Sequence, residues 1–195
     1  MKILIACEFS GIVRDAFRNK GHNAWSCDIL PTDNNKQWHI QDDVLKHLDE
    51  HWDMMIAHPP CTYLCNSGVS WLYKDENRWA ELDKASQFFK TLLNYNIPKI
   101  CVENPIPHKH GKLPKYSQII QPYEYGHAER KATCLWLKNL PELIPTKNVK
   151  SDMLKLPKKL SQRIHYTSPG KDRWRIRSTT FNGIAQAMAE QWSVV

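Results

Sequence analysis

The chain has 195 residues, 42% hydrophobic and 24% charged, which suits one globular domain, or one domain with a small appendage, and leaves room for a sizeable core. No apolar run approaches the length of a membrane span, and residues 1–9 lack a basic stretch followed by a long apolar one, so no span and no secretory leader is expected and a cytoplasmic setting follows. The formal net charge of +7 favours a polyanionic partner, most simply a nucleic acid, or else a solvated basic surface.

Residues 2–7 (KILIAC) are apolar and β-branched and read as a central strand. Glu8-Phe9-Ser10-Gly11 is the turn after it, and residues 12–19 follow with Val13, Ala16 and Phe17 at helical spacing before Lys20-Gly21. This strand–turn–helix opening is that of a cofactor-binding half of a doubly wound fold, with one glycine in the turn rather than a full G-x-G-x-x-G. Residues 22–27 form a second strand ending at Asp28. An acid there either holds a ribose diol or caps a turn. Residues 34–41 are polar and irregular, and Asp42-Asp43 stand at the N-terminus of a short helix carrying Val44, Leu45 and Leu48, where the helix dipole favours acids.

Residues 53–65 (DMMIAHPPCTYLC) are the most informative stretch. Met54 to Ala57 is a short apolar run that reads as a buried strand, and His58-Pro59-Pro60 holds the chain extended, because each proline fixes its own φ and restricts the residue before it. Cys61 therefore sits on a stiff loop at a strand end, where open α/β sheets keep their ligands. It can be a nucleophile, a metal ligand with His58 and Cys65, or an inert thiol. No second Cys/His cluster of matching spacing supports a zinc site. Residues 66–78 are polar and aromatic, the reading of a mobile active-site loop.

Residues 79–95 carry Leu82, Ala85, Phe88, Phe89, Leu92 and Leu93 on a broad helical face, and residues 97–102 form the next strand, running into Glu103-Asn104-Pro105. Ile119-Ile120 marks a short strand, residues 123–131 a polar turn, and residues 134–137 (CLWL) another strand. Residues 140–171 show little pattern, and residues 184–192 have helical character. Four of the six cysteines, Cys7, Cys27, Cys61, Cys65, Cys101 and Cys134, lie in or beside apolar runs and read as reduced core thiols. The eight tryptophans serve packing or base stacking.

Asp28, Cys61 and Glu103 thus stand at three strand ends, which parallel topology brings to one edge of a sheet. With their neighbours they resemble the DNA (cytosine-5) methyltransferase family, in its motif order and over nearly the whole length. Phe9-Ser10-Gly11 is similar to the family's cofactor turn, Asp28-Ile29 to its ribose- and adenine-contacting pair, and Asp43 to the aspartate at the adenine amino group. Pro60-Cys61 matches the catalytic Pro-Cys, and Glu103-Asn104 the Glu-Asn. Residues 133–137 are similar to the strand after the basic motif, and Ser178-Thr179-Thr180 with Ile184-Ala185 to the closing cofactor motif. Amino-methyltransferases also carry Pro-Pro, but after Asp, Asn or Ser and before an aromatic residue; His58-Pro59-Pro60-Cys61 has neither.

The resemblance implies a Rossmann-like S-adenosylmethionine-dependent methyltransferase fold, with a mostly parallel sheet and helices on both faces. It implies S-adenosylmethionine as cofactor, held by Phe9, Ser10, Gly11, Asp28, Ile29, Asp43, Pro60, Thr179 and Thr180. DNA is the implied partner, and restriction–modification the setting. Cys61 is the implied nucleophile at carbon 6 of cytosine, Glu103 the acid at ring N3 with its pKa raised by a dry pocket, and Arg130 the cation at O2, with Lys131 as the other candidate. Replacing Cys65 is expected to be mild. One catalytic domain over 1–195 is expected, with a reduced recognition segment at about 138–177, where the family usually inserts a whole domain. Arg163, Lys171, Arg173, Arg175 and Arg177 in or beside it suit phosphates rather than base edges, so weak sequence discrimination is expected, or specificity from a second protomer or another protein. A non-catalytic nucleic-acid-binding homologue or partner subunit, and the same chemistry on RNA or a free pyrimidine nucleotide, are the other readings.

Overall fold

The computed structural model describes residues 1–194. Its strands are β1 (Lys2–Ala6), β2 (Asn23–Asp28), β3 (His39–Gln41), β4 (Met54–Ala57), β5 (Lys99–Pro105), β6 (Gln118–Ile120) and β7 (Thr133–Lys138). They form one seven-stranded sheet in the order β3-β2-β1-β4-β5-β7-β6. The first five in that order pair in parallel, while β7 runs antiparallel to β5 and β6. The order reverses between β1 and β4, the switch point at which open α/β sheets place their ligands.

Six α-helices accompany the sheet: α1 (Ile12–Asn19), α2 (Asn77–Leu93), α3 (Lys150–Lys155), α4 (Lys158–Ser161), α5 (Arg173–Ser178) and α6 (Asn182–Trp192). The strands are apolar on both sides, so each face has its own core. Ile3, Ile5 and Ile56 pack with Val13 and Phe17 of α1 and Met188 and Trp192 of α6. Leu4, Met55 and Val102 pack with Leu82, Phe89 and Leu92 of α2 on the other face. Burying each such side chain contributes about 1.5–3 kcal/mol, which explains why the short strands hold their register. Gly183 admits the closest approach among the glycines, since a Cβ there would stand 1.9 Å from the Tyr125 carbonyl oxygen.

The elements read from the sequence appear with shifted ends. The helix expected over 79–95 is α2, starting at Asn77, and β5 runs on through Glu103 and Asn104 instead of ending before them. Residues 66–78, expected to be a mobile loop, include a 3-10 helix, Asn66–Tyr73. β3 falls in the stretch expected to be irregular, because its edge position lets His39 and Gln41 be polar. α3 and α4 occupy the pattern-poor stretch and α5 follows it. No helix of the described residues is long and apolar enough to cross a membrane.

Candidate active site at the switch point of the sheet

A cavity of about 100 Å³ opens where β1, β4 and β5 end, and Cys61 and Glu103 both line it. Cys7 leaves β1 with a φ of 58°. This left-handed kink, costly for a side-chain-bearing residue, turns Glu8 back toward α1. The buried Glu8 carboxylate then accepts hydrogen bonds from the backbone N–H of Val13 at 2.7 Å and of Arg14 at 3.2 Å, satisfying the start of α1. Burial pushes this carboxyl up, against the pull of His58, those N–H groups and Arg14. Gly11 takes a φ of 71°, and a Cβ there would lie 2.4 Å from the buried Arg14 guanidinium, so glycine is required on both counts.

From β4, His58, Pro59, Pro60 and Cys61 line the cavity. The Asn104 side-chain amide donates to the Pro59 carbonyl at 3.1 Å, fastening the proline loop to β5. A helical turn follows, in which the N–H groups of Leu64 and Cys65 both donate to the Cys61 carbonyl at 3.0 Å. The neighbouring Cys65 first, then burial and the nearby Glu103 charge, push the Cys61 thiol up, against Lys131. Cys65 is lowered to about 5, by Cys61 first and, against burial, by Ser67 and the N–H groups of Ser67 and Gly68.

From β5 comes Glu103. His58 Nδ1 lies 3.1 Å from its Oε2. Burial pushes the Glu103 carboxyl up, but the hydrogen bond and charge of His58, with Lys131 and Thr133, outweigh it and hold it below the usual glutamate value. A carboxyl raised by a dry pocket was the expectation; the histidine two positions before the Pro-Cys pair reverses the sign.

The nine residues expected at a cofactor fall into two groups. Phe9, Ser10, Pro60 and Thr180 line the cavity. Gly11, Asp28, Ile29, Asp43 and Thr179 do not. Asp28 ends β2, and its carboxylate accepts from the Leu30 N–H at 2.9 Å, an Asx turn, so the turn-capping reading describes one of its oxygens. Burial raises its carboxyl. Asp43 accepts from the Leu45 N–H at 3.0 Å, capping a 3-10 turn. Both aspartates push the Cys7 thiol upward, after the larger effect of burial, which places all three at one sheet edge. Ile29 is 73% exposed beside them. Thr179 bonds the Arg175 carbonyl instead of facing the cavity. The donor set suits a nucleoside-bearing cofactor: two carboxylates for hydroxyl and amino groups, an exposed isoleucine for an aromatic face, and a glycine turn.

Arg130, expected near the base, is exposed and does not line the cavity; its N–H donates to the Ser161 carbonyl at 2.7 Å. Lys131 lines the cavity instead, with Nζ on the Arg177 carbonyl at 2.9 Å. Arg177 also lines it, a position read from sequence only as a phosphate contact. Two of the five cations assigned to phosphates are engaged elsewhere: Arg163 pairs with Glu129, and Arg175 with Asp33. Glu8 and His58 also line the cavity. Glu8 occupies the turn before a single glycine, and the sequence offers His58 only as a metal ligand; its place beside Glu103 appears once β4 and β5 are aligned, Ala57 opposite Val102. All six cysteines are free thiols, and no three His, Cys, Asp or Glu side chains among the described residues are grouped to hold a metal ion.

No family model and no curated protein matches the sequence. Solved structures do resemble it. One is described as a DNA modification methyltransferase encoded within an Escherichia coli prophage, 15% identical, with a TM-score of 0.46 over 80% of this chain and 55% of that one. Another is the Entamoeba histolytica methyltransferase EhMeth, 16% identical, with a TM-score of 0.50 over 75% of this chain and 57% of that one. The chain thus spans little more than half the length of either. With the sheet order above, the likeness to the second shows a Rossmann-like fold, the one that methyltransferase has.

Proposed function

We propose that the chain transfers a methyl group from S-adenosylmethionine to carbon 5 of cytosine in DNA, through a covalent bond between Cys61 and the base. The observation that carries this reading is the meeting of Cys61 and Glu103 in one cavity with the glycine-turn residues Phe9 and Ser10. Carbon 5 of cytosine is a poor nucleophile. Addition of a thiolate to carbon 6 breaks the ring conjugation and makes carbon 5 enamine-like. In this reading the Cys61 proton passes to the neighbouring Cys65, whose thiol is held below its usual value. Glu103, once protonated, donates to ring N3, where charge develops, and the Lys131 ammonium supplies positive potential at the same cavity.

S-adenosylmethionine supplies the electrophilic methyl group, and Phe9, Gly11, Asp28, Ile29 and Asp43 are the residues that would hold it. Carbon 5 takes the methyl, then loses its proton as the Cys61 sulfur departs. A duplex base does not reach such a cavity, so the target is flipped or single-stranded. Residues 1–195 act in this reading as one catalytic domain with a reduced recognition segment at about 138–177. Lys171, Arg173 and Arg177 offer phosphate contacts, which bind all sequences alike and weaken with salt. Mass spectrometry of DNA from cells expressing the chain tests the reading: 5-methylcytosine should appear with the wild type and not with Cys61→Ser. Unmodified DNA, or a modified adenine, would refute it.

A further inference from the structure

The proposed chemistry requires an acid at N3, yet His58, Lys131 and Thr133 hold the Glu103 carboxyl below the usual glutamate value. The structure shows where a proton can be kept. His58 Nδ1 lies 3.1 Å from Glu103 Oε2, with the two side chains 9% and 19% exposed. The other ring nitrogen, Nε2, is buried and has no hydrogen-bond partner among the described residues, although His58 lines the cavity. Resting on the function proposed above, we infer that His58 is the positioning residue that stores the proton Glu103 lends to the base.

In the free protein one proton is shared between His58 Nδ1 and Glu103 Oε2, 3.1 Å apart. A base entering the cavity expels water, and loss of water disfavours both charged forms. The Nδ1–H bond breaks, an Oε2–H bond forms, and a neutral imidazole faces a neutral acid that hydrogen-bonds N3. The proton returns to Nδ1 when Cys61 leaves the product. No oxidant or further reactant is needed. The groups around the pair are Glu8 from the turn after β1, Cys61, Cys101 on β5, Cys134 on β7, Lys131 and the Thr133 hydroxyl. Only Lys131 among them is cationic.

Nitrogen NMR of the histidine rings tests the pairing without turnover. The His58 Nδ1 signal should differ between the wild type and Glu103→Gln, which removes the carboxylate that shares its proton; an unchanged signal would overturn the shared proton. With an oligonucleotide bearing 5-fluorocytosine, the His58 signals should move to those of a neutral ring as the adduct forms; an unchanged ring would overturn the transfer. In His58→Asn the side-chain amide still reaches toward Glu103 but stores no proton. Its kcat should fall about 100-fold, with KM for DNA little changed, and the fall should steepen as pH rises because Glu103 must then draw its proton from solvent. A kcat–pH profile matching the wild type would overturn the inference while leaving the functional reading intact. Failure of the wild type to form any adduct would remove both.

Discussion

The ring of Trp174 packs against Phe9, with centroids 5.2 Å apart and planes inclined at 59°. The Arg175 guanidinium lies 5.9 Å over the same phenylalanine ring and pairs with Asp33. Helix α5 thus ties the far end of the chain to the glycine turn. An aromatic pair of this kind contributes about 0.5–1.5 kcal/mol beyond its buried area. Trp174→Ala should therefore weaken S-adenosylmethionine binding by roughly tenfold through a loosened Phe9. Calorimetry measures it, and unchanged affinity would show that α5 is only a surface appendage.

Asp28 gives the sharpest cofactor prediction. Asp28→Ala should lose most of the affinity for S-adenosylmethionine, while Asp28→Asn, which keeps the Asx-turn oxygen, should keep the fold. Burial raises this carboxyl, so the ionised form needed for a diol is present only above that raised value. Affinity should begin to weaken, as pH falls, at a higher pH than an ordinary aspartate gives. Calorimetric titrations across the acidic range check this; a pH-independent affinity would remove Asp28 from the site.

Lys131 and Arg130 can be separated directly. Lys131 lines the cavity and its charge acts on both Glu103 and Cys61. Lys131→Met should lower kcat by roughly 100-fold, the usual cost of one donor aimed at developing charge. Arg130→Ala should change kcat little. Steady-state rates on a cytosine-containing duplex decide, and the reverse ranking would restore Arg130 to the base.

The thiol pair predicts a spectroscopic result. Cys65 is lowered to about 5, so its thiolate should persist through neutral pH. Ultraviolet titration should show a thiolate signal that Cys65→Ser abolishes and Cys61→Ala pushes to higher pH, because the neighbouring thiol is lost. The variant Cys65→Ser should also shift the acid limb of kcat upward. This departs from the mild effect the sequence suggests, and a mild effect would return Cys65 to a packing role.

Much of the architecture can be read from the chain because buried parallel strands leave dense apolar runs, as at Met54 to Ala57, and because α2 repeats its apolar face over several turns. The strand-end positions of Asp28, Cys61 and Glu103 follow from those runs. β3 is hidden because an edge strand three residues long needs no apolar alternation. α5 is hidden because its sequence, RWRIRS, looks like a solvated basic stretch, and its half-exposed Trp174 and Arg175 reach across to Phe9 and Asp33. The ionisation of Glu103 is hidden for a different reason. It depends on a histidine 45 residues away, joined only when β4 and β5 pair.

Covalent trapping at Cys61 tests the central claim most directly. Purified protein is mixed with S-adenosylmethionine and a duplex carrying 5-fluorocytosine, whose fluorine blocks the final elimination, and the cross-linked peptide is mapped by mass spectrometry. The expected result is an adduct through Cys61 in the wild type, absent in Cys61→Ser and dependent on the cofactor for its methylated form. An adduct through Cys65, or methylated DNA with no trappable adduct, would contradict the assignment.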